Sequence, residues 1–322
     1  MELDNIIGQS ALVSQLKRLI LSNKVGHAYA FSGAPGMGKR TIALSFIKDL
    51  LCNNPKNDNC TCISCRTFNE GTNPDFYEVV SDKKSIGVDS IRDLQQDVAN
   101  RPTYCSKKVY LIDDADSMTV QAQNCLLKTL EEPPEYVVII LLSVNIEALL
   151  PTVQSRIINL RMNPYTKEEM VQIICTMYSV RNEDLEFIIN FSRGIPQDAI
   201  NLIEEGSVRE LRSKIFYLLE RPSDFEQFEN FRKYALDNKE DVHMIFDILL
   251  SFYRDCIMLK HGMENRLINL DKKDIIRDVV SHYSSHKLFA KIDRLEKLRN
   301  SFRYNINFQL GIDSLFMEIQ EV

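Results

Sequence analysis

The chain has no long hydrophobic run. Its longest apolar stretch, Val137 to Leu142, falls far short of the roughly 20 residues a bilayer-spanning helix needs. A membrane-spanning helix is therefore excluded. There is no surplus of positive charge either: 39 Lys and Arg face 45 Asp and Glu, for a net charge of −6. A strong autonomous nucleic-acid binder would be basic, so any contact with DNA is expected to come through partners. The start, Met1-Glu2-Leu3-Asp4, lacks the basic and apolar regions of a secretion signal. A cytoplasmic location is expected. Cysteines seldom pair in that compartment, so the eight present point to metal or plain packing. From about Ser207 onward there are no glycine-rich loops and no strand pattern. His282 and His286 are four apart but lack the acid of H-E-x-x-H, and read as surface residues.

What is present is a soluble globular composition, 44% hydrophobic and 26% charged, with length for two or three domains. The stretch around which the chain is organised is Phe31-Ser32-Gly33-Ala34-Pro35-Gly36-Met37-Gly38-Lys39-Arg40-Thr41. Gly33, Gly38 and Lys39 fit the phosphate loop G-x-x-x-x-G-K. Glycines let backbone N–H groups approach phosphate oxygens, and Lys39 adds a positive charge at a helix start. An apolar strand precedes the loop and a helical pattern follows it, as the motif requires. The residue after the lysine should be Ser or Thr, whose hydroxyl holds Mg²⁺. Here it is Arg40, and Thr41 carries its hydroxyl about 100° round the helix. Candidate nucleotide-binding residues are therefore Gly33, Gly36, Met37, Gly38, Lys39, Arg40 and Thr41, with ATP and Mg²⁺ as candidate ligands.

Cys52, Cys60, Cys62 and Cys65 fall within fourteen residues on polar, Asn-rich filler. Thiolates this close in sequence suit a tetrahedral, structural zinc site. Free thiols on a loop would leave the clustering unexplained. Lys108-Val109-Tyr110-Leu111-Ile112-Asp113-Asp114-Ala115-Asp116 is an apolar strand ending in acids, a Walker B arrangement. Asp113 can reach a metal through water. Asp114 stands where a glutamate would polarise the attacking water, one methylene short.

The segment Asn124-Cys125-Leu126-Leu127-Lys128-Thr129-Leu130-Glu131-Glu132-Pro133-Pro134 adds a specific phrase. Together with the Walker pair, the inserted knuckle and Ser155-Arg156, it closely resembles the bacterial clamp-loader subunits of DNA polymerase III. That family holds the delta-prime and gamma/tau subunits, and the likeness to delta-prime is the greater. The resemblance implies an α/β AAA+ P-loop domain over 1–162 with its knuckle at 52–65. A helical lid over 163–206 and an all-α collar over 207–322 should follow. Two helical stripes, Val242 to Ile257 and Phe308 to Ile319, and the approach Asn305-Ile306-Asn307 to the last helix, fit the collar.

The resemblance further implies that Arg156 reaches the ATP site of a neighbouring subunit as a finger in trans, exposed in the free chain. Val144 and Gln197 replace polar and arginine sensors of the γ-phosphate in that family. With Arg40 and Asp114 they suggest a site kept for shape. The implied function is a stator that assembles with gamma/tau and delta subunits to load the sliding clamp on primed DNA. The alternative is an active gamma/tau-type ATPase.

Overall fold

The computed structural model describes residues 1–320 apart from 56–59, 81–84, 205, 207, 223 and 303–306. The knuckle filler at 56–59, the collar boundary at Ser207 and the pair Asn305-Ile306 lie outside the described residues. The chain divides into two compact units. The first takes in Met1–Ile173 with Ile195–Gln197, and the second Ile174–Gly194 with Asp198–Val322.

In the first unit the strands are β1 (Ala28–Ser32), β2 (Phe76–Val79), β3 (Lys108–Ile112), β4 (Val137–Ser143) and β5 (Ile158–Arg161). Among the described residues they form one parallel sheet in the order β2-β3-β4-β1-β5. Every residue of β1, β3 and β4 is buried, as expected where helices cover both faces of a parallel sheet. Alternation sorts their side chains. Tyr29, Phe31, Val109, Leu111, Val138 and Ile140 enter one core, and Ala28, Ala30, Tyr110, Ile112, Ile139 and Leu141 the other.

The helices of this unit are α1 (Ser10–Leu21), α2 (Lys39–Leu51), α3 (Ile63–Asn69), α4 (Val88–Val98), α5 (Val120–Glu131) and α6 (Pro151–Gln154). Leu12 and Leu16 of α1 and Ile42 and Phe46 of α2 close the first core. Ile91 and Leu94 of α4 and Leu126 of α5 close the second. Each such side chain contributes about 1.5–3 kcal/mol on full burial. Helix α5 starts where Thr119 Oγ1 accepts from Ala122 N at 3.2 Å and stops before Pro133. Its end fixes the Glu131 carboxylate near α6.

The second unit is helical among its described residues. Its core lies on the helix Val242–Lys260, whose Ile245, Phe246, Leu249, Phe252 and Cys256 recur at helical spacing and are buried. The helices Val208–Glu220, Lys273–His282 and Ser285–Ser301 pack on it. The expected last stripe is also present: Ile312, Leu315, Phe316 and Ile319 are buried in Phe308–Gln320. Asp255, fully buried, accepts from Ile268 N at 2.9 Å and Asn269 N at 2.7 Å, tying down the segment after that helix. Among the described residues no helix is long and apolar enough to cross a membrane.

Candidate nucleotide site and metal centre

The glycine loop joins β1 to α2, at the carboxyl end of the sheet, where parallel α/β folds bind ligands. Gly36 and Gly38 have φ of 75° and 80°, the left-handed region. At Gly36 a Cβ would also lie 2.6 Å from Cβ of Gln197. Gln197 N donates to Gly36 O at 3.1 Å, so the expected sensor position does lie against the loop, but as a neutral amide. From another side, Tyr165 Oη donates to Met37 O at 3.2 Å. Burial pushes the Tyr165 hydroxyl up to about 12, with Glu169 adding to the shift. The loop is thus pinned at two neighbouring residues before any ligand arrives. Lys39 Nζ donates to Gly33 O at 2.8 Å and Ala34 O at 2.9 Å. Burial lowers its pKa, against the charges of Asp116 and Asp113.

Arg40 does more than remove a hydroxyl. Its guanidinium is forked onto Glu78 of β2, with Nη2 donating to Oε2 at 2.9 Å and Nη1 to Oε1. Nη1 also donates to Asp113 Oδ2 at 2.8 Å. These bonds, Glu78 foremost, raise the Arg40 pKa against partial burial. A divalent cation on Asp113 needs an oxygen ligand at this place. The residues present supply a cation instead, and they do not fit Mg²⁺. Thr41 is exposed.

The acids after β3 are held by backbone and by each other's neighbours. Asp114 has a left-handed φ of 52°, and its N–H donates to Asp113 Oδ1 at 2.9 Å. Asp116 accepts from Ser143 Oγ at 2.5 Å, Val144 N at 2.6 Å and Asn145 N at 3.1 Å. The Ser143 hydroxyl, one residue before the expected sensor position at Val144, is therefore committed to Asp116. Val144 offers only its backbone there.

Arg156 follows α6. Its Nη1 donates to Thr152 O at 2.9 Å and Ser155 Oγ at 3.1 Å, and its Nη2 lies 2.8 Å from Glu131 Oε1. The side chain is 35% exposed, so it is partly covered where an exposed residue was expected, and it is paired with Glu131. The cover comes from the end of α5, in the phrase that carries the family resemblance.

The four thiols of Cys52, Cys60, Cys62 and Cys65 converge, with Sγ atoms all within 4.8 Å of one another. A tetrahedral zinc with Zn–S near 2.3 Å would set them about 3.8 Å apart. The donor set fits. Burial pushes Cys52 up to about 11. Burial also raises Cys62, but N–H groups of Cys65 and Asn53 and the nearby thiols bring it down to about 7. Asn54 N donates to Cys52 Sγ at 3.4 Å. The knuckle is anchored through buried Ser64, which meets Asn73 Nδ2 and Cys105 Sγ, each at 3.0 Å. Cys105, Cys125, Cys175 and Cys256 stand outside the cluster.

Three residues of the site were not anticipated: Glu78, Asp116 and Tyr165. Asp116 had a visible signal, as the third acid after β3. Glu78 had a weaker one, a carboxylate inside the short strand Phe76-Tyr77-Glu78-Val79. Tyr165 had none.

A parallel sheet in this order, with a phosphate loop after β1 and acids after β3, between helical layers, defines an AAA+ P-loop module. Residues 8–166 match the family described as DNA polymerase III, delta subunit, and residues 224–321 match DNA polymerase III, delta subunit, C terminal. The chain belongs to this DNA polymerase III subunit family. The tau subunit from Bacillus subtilis is 26% identical across 94% of this chain and 58% of its own length. The chain thus spans little more than half of that relative. The delta' subunit of the same organism is 27% identical, covering 97% of this chain and 96% of its own. The delta' subunit from Pseudomonas aeruginosa is 34% identical over 59% of each.

Proposed function

We propose that the chain is a delta-prime-like stator of a cytoplasmic DNA polymerase III clamp loader. It assembles with gamma/tau and delta subunits, helps open and close the sliding clamp on primed DNA, and hydrolyses little or no ATP itself. The observation that carries this reading is Arg40, lodged between Asp113 and Glu78 where a catalytic metal would bind. The lid of such a subunit would span about 163–206, drawn from both compact units, and the collar about 207–322, within the second. The knuckle holds one structural zinc, because four thiolates leave no coordination position open for chemistry.

In this reading Arg156 is presented to a neighbour's ATP. A guanidinium there stabilises charge on the transferring phosphoryl group. Glu131 parks it until the partner docks. The test is a reconstituted loader carrying Arg156→Ala. Assembly should survive and clamp- and DNA-stimulated ATPase should fall. The loss should be smaller than the roughly 10³–10⁵ of a lone in-trans finger, because other subunits keep theirs. Wild-type turnover would remove Arg156 from the mechanism.

The intact glycines and Lys39 favour a second reading, an active gamma/tau-type motor. Multiple turnovers by the isolated chain, lost on Lys39→Ala, would establish it and displace the first.

A further inference from the structure

We propose that the phosphate loop takes a nucleoside diphosphate without a divalent cation, with Arg40 standing in the metal's place. This rests on the loop being a nucleotide site. A P-loop metal is normally held by the hydroxyl after the lysine and by the strand-end acid, and it bridges the β- and γ-phosphates. Here the hydroxyl is gone, and the acid is engaged: Arg40 makes three hydrogen bonds to Asp113 and Glu78. Mg²⁺ demands near-octahedral oxygen ligands and sheds water reluctantly. It would have to displace Arg40 from Asp113, where a two-bond fork on Glu78 holds the guanidinium in place.

The charge balance points the same way. Mg²⁺ beside Asp113 and Glu78 would leave the group neutral facing the γ-phosphate. Arg40 between the same two carboxylates leaves it net negative. Asp114 and Asp116 add to it on the same side of the sheet. A triphosphate would carry its third phosphoryl group towards these acids with no metal between. The inner phosphates fare differently. The turns at Gly36 and Gly38 and the start of thirteen-residue α2 offer N–H groups, and Lys39 stands beside them. The cradle that survives is therefore the one for the α- and β-phosphates.

The experiment is calorimetric titration of the full chain with ADP, in excess EDTA and again in millimolar Mg²⁺. The dissociation constant should change by less than about twofold, because no metal site is completed by the ligand. Arg40→Ser, which restores the hydroxyl and frees Asp113, should make Mg²⁺ tighten ADP by about tenfold or more. Mg–ATP should bind the wild-type chain more weakly than ADP. Tenfold tightening of wild-type binding by Mg²⁺, preference for Mg–ATP, or no ADP binding in either buffer would each overturn the proposal. So would an Arg40→Ser chain as indifferent to Mg²⁺ as the wild type. None of these results bears on the Arg156→Ala loader assay, so the two readings fail separately.

Discussion

The cysteine knuckle and the phosphate loop are both shaped for a ligand, but their parts come from different distances. All four knuckle thiols come from one fourteen-residue stretch, and they converge to within 4.8 Å. The phosphate loop has a local half and a distant half. Its backbone cradle lies wholly between β1 and α2. Its cation place is made from α2, β2 and β3 together. A single substitution in the knuckle removes a ligand. Arg40, standing where the motif has Ser or Thr, supplies no metal hydroxyl yet leaves the cradle standing. The difference teaches that a binding shape can outlast its chemistry when the two are carried by separate elements.

Breaking the local site should have the largest effect. Structural zinc in small knuckles carries apparent binding energies of about 10–16 kcal/mol, so under the proposed zinc reading the loop should depend on the metal. Cys62→Ser should drop zinc, by elemental analysis of protein purified without chelator, from about one equivalent to under about half. Amide exchange around Cys60 to Cys65 should rise, while the central strands stay protected.

The cradle comes next. Gly36→Ala forces a side chain into a left-handed turn and against Gln197, and should cost about 2 kcal/mol in urea unfolding, together with nucleotide retention. An unchanged midpoint would show that the loop relaxes freely.

A half-buried pair outside both sites sets a scale. Lys108, 4% exposed, lies 2.8 Å from Asp97 Oδ2. Burial alone would raise the Asp97 pKa, but Lys108, Asn100 and Tyr110 donate to its carboxylate and hold it below the usual 3.8. A carboxyl depressed in the folded state stabilises fully above its unfolded pKa. That contribution is lost as pH falls below about 3.8 through the lower folded value. Asp97→Asn should cost about 1 kcal/mol at neutral pH and flatten the acid limb of the stability curve. Equal slopes for both proteins would dismiss the pair.

The smallest effect should come from Arg40→Ala. Its side chain is 46% exposed, so its pairs contribute only about 0–1 kcal/mol. A large loss of stability there would mean that Arg40 is a structural strut, and would blunt the contrast between the two sites.

The sequence disclosed features whose causes are local. The apolar run Val137 to Leu142 lies within interior strand β4, and the Phe308 to Ile319 stripe is buried on one helix as its spacing implied. The four cysteines, Lys39 and Asp113 were equally plain. What stayed hidden depends on residues brought together by the sheet. Arg40 meets Glu78 across 38 positions, because β2 lies beside β3. Tyr165 reaches Met37 across 128. Arg156 is paired because α5 ends beside it, which no spacing rule encodes. Ile195–Gln197 groups with the first unit although its chain neighbours do not; the resemblance had placed Gln197 at the loop, but nothing in its local spacing did.

The strand order has a consequence for biosynthesis. β1 is the first strand to leave the ribosome, yet its partners in the sheet are β4 and β5, the last two. Ala28-Tyr29-Ala30-Phe31-Ser32 must wait for Arg161 before both its edges are covered. At ~5–20 residues per second that wait is roughly 6 to 26 s. The knuckle waits for nothing beyond Cys65, so a metal could close it while most of the sheet is still untranslated. During that interval an apolar strand with two open edges is what a nascent-chain chaperone would meet, and slowed translation between β1 and β5 should raise the yield of aggregated chain.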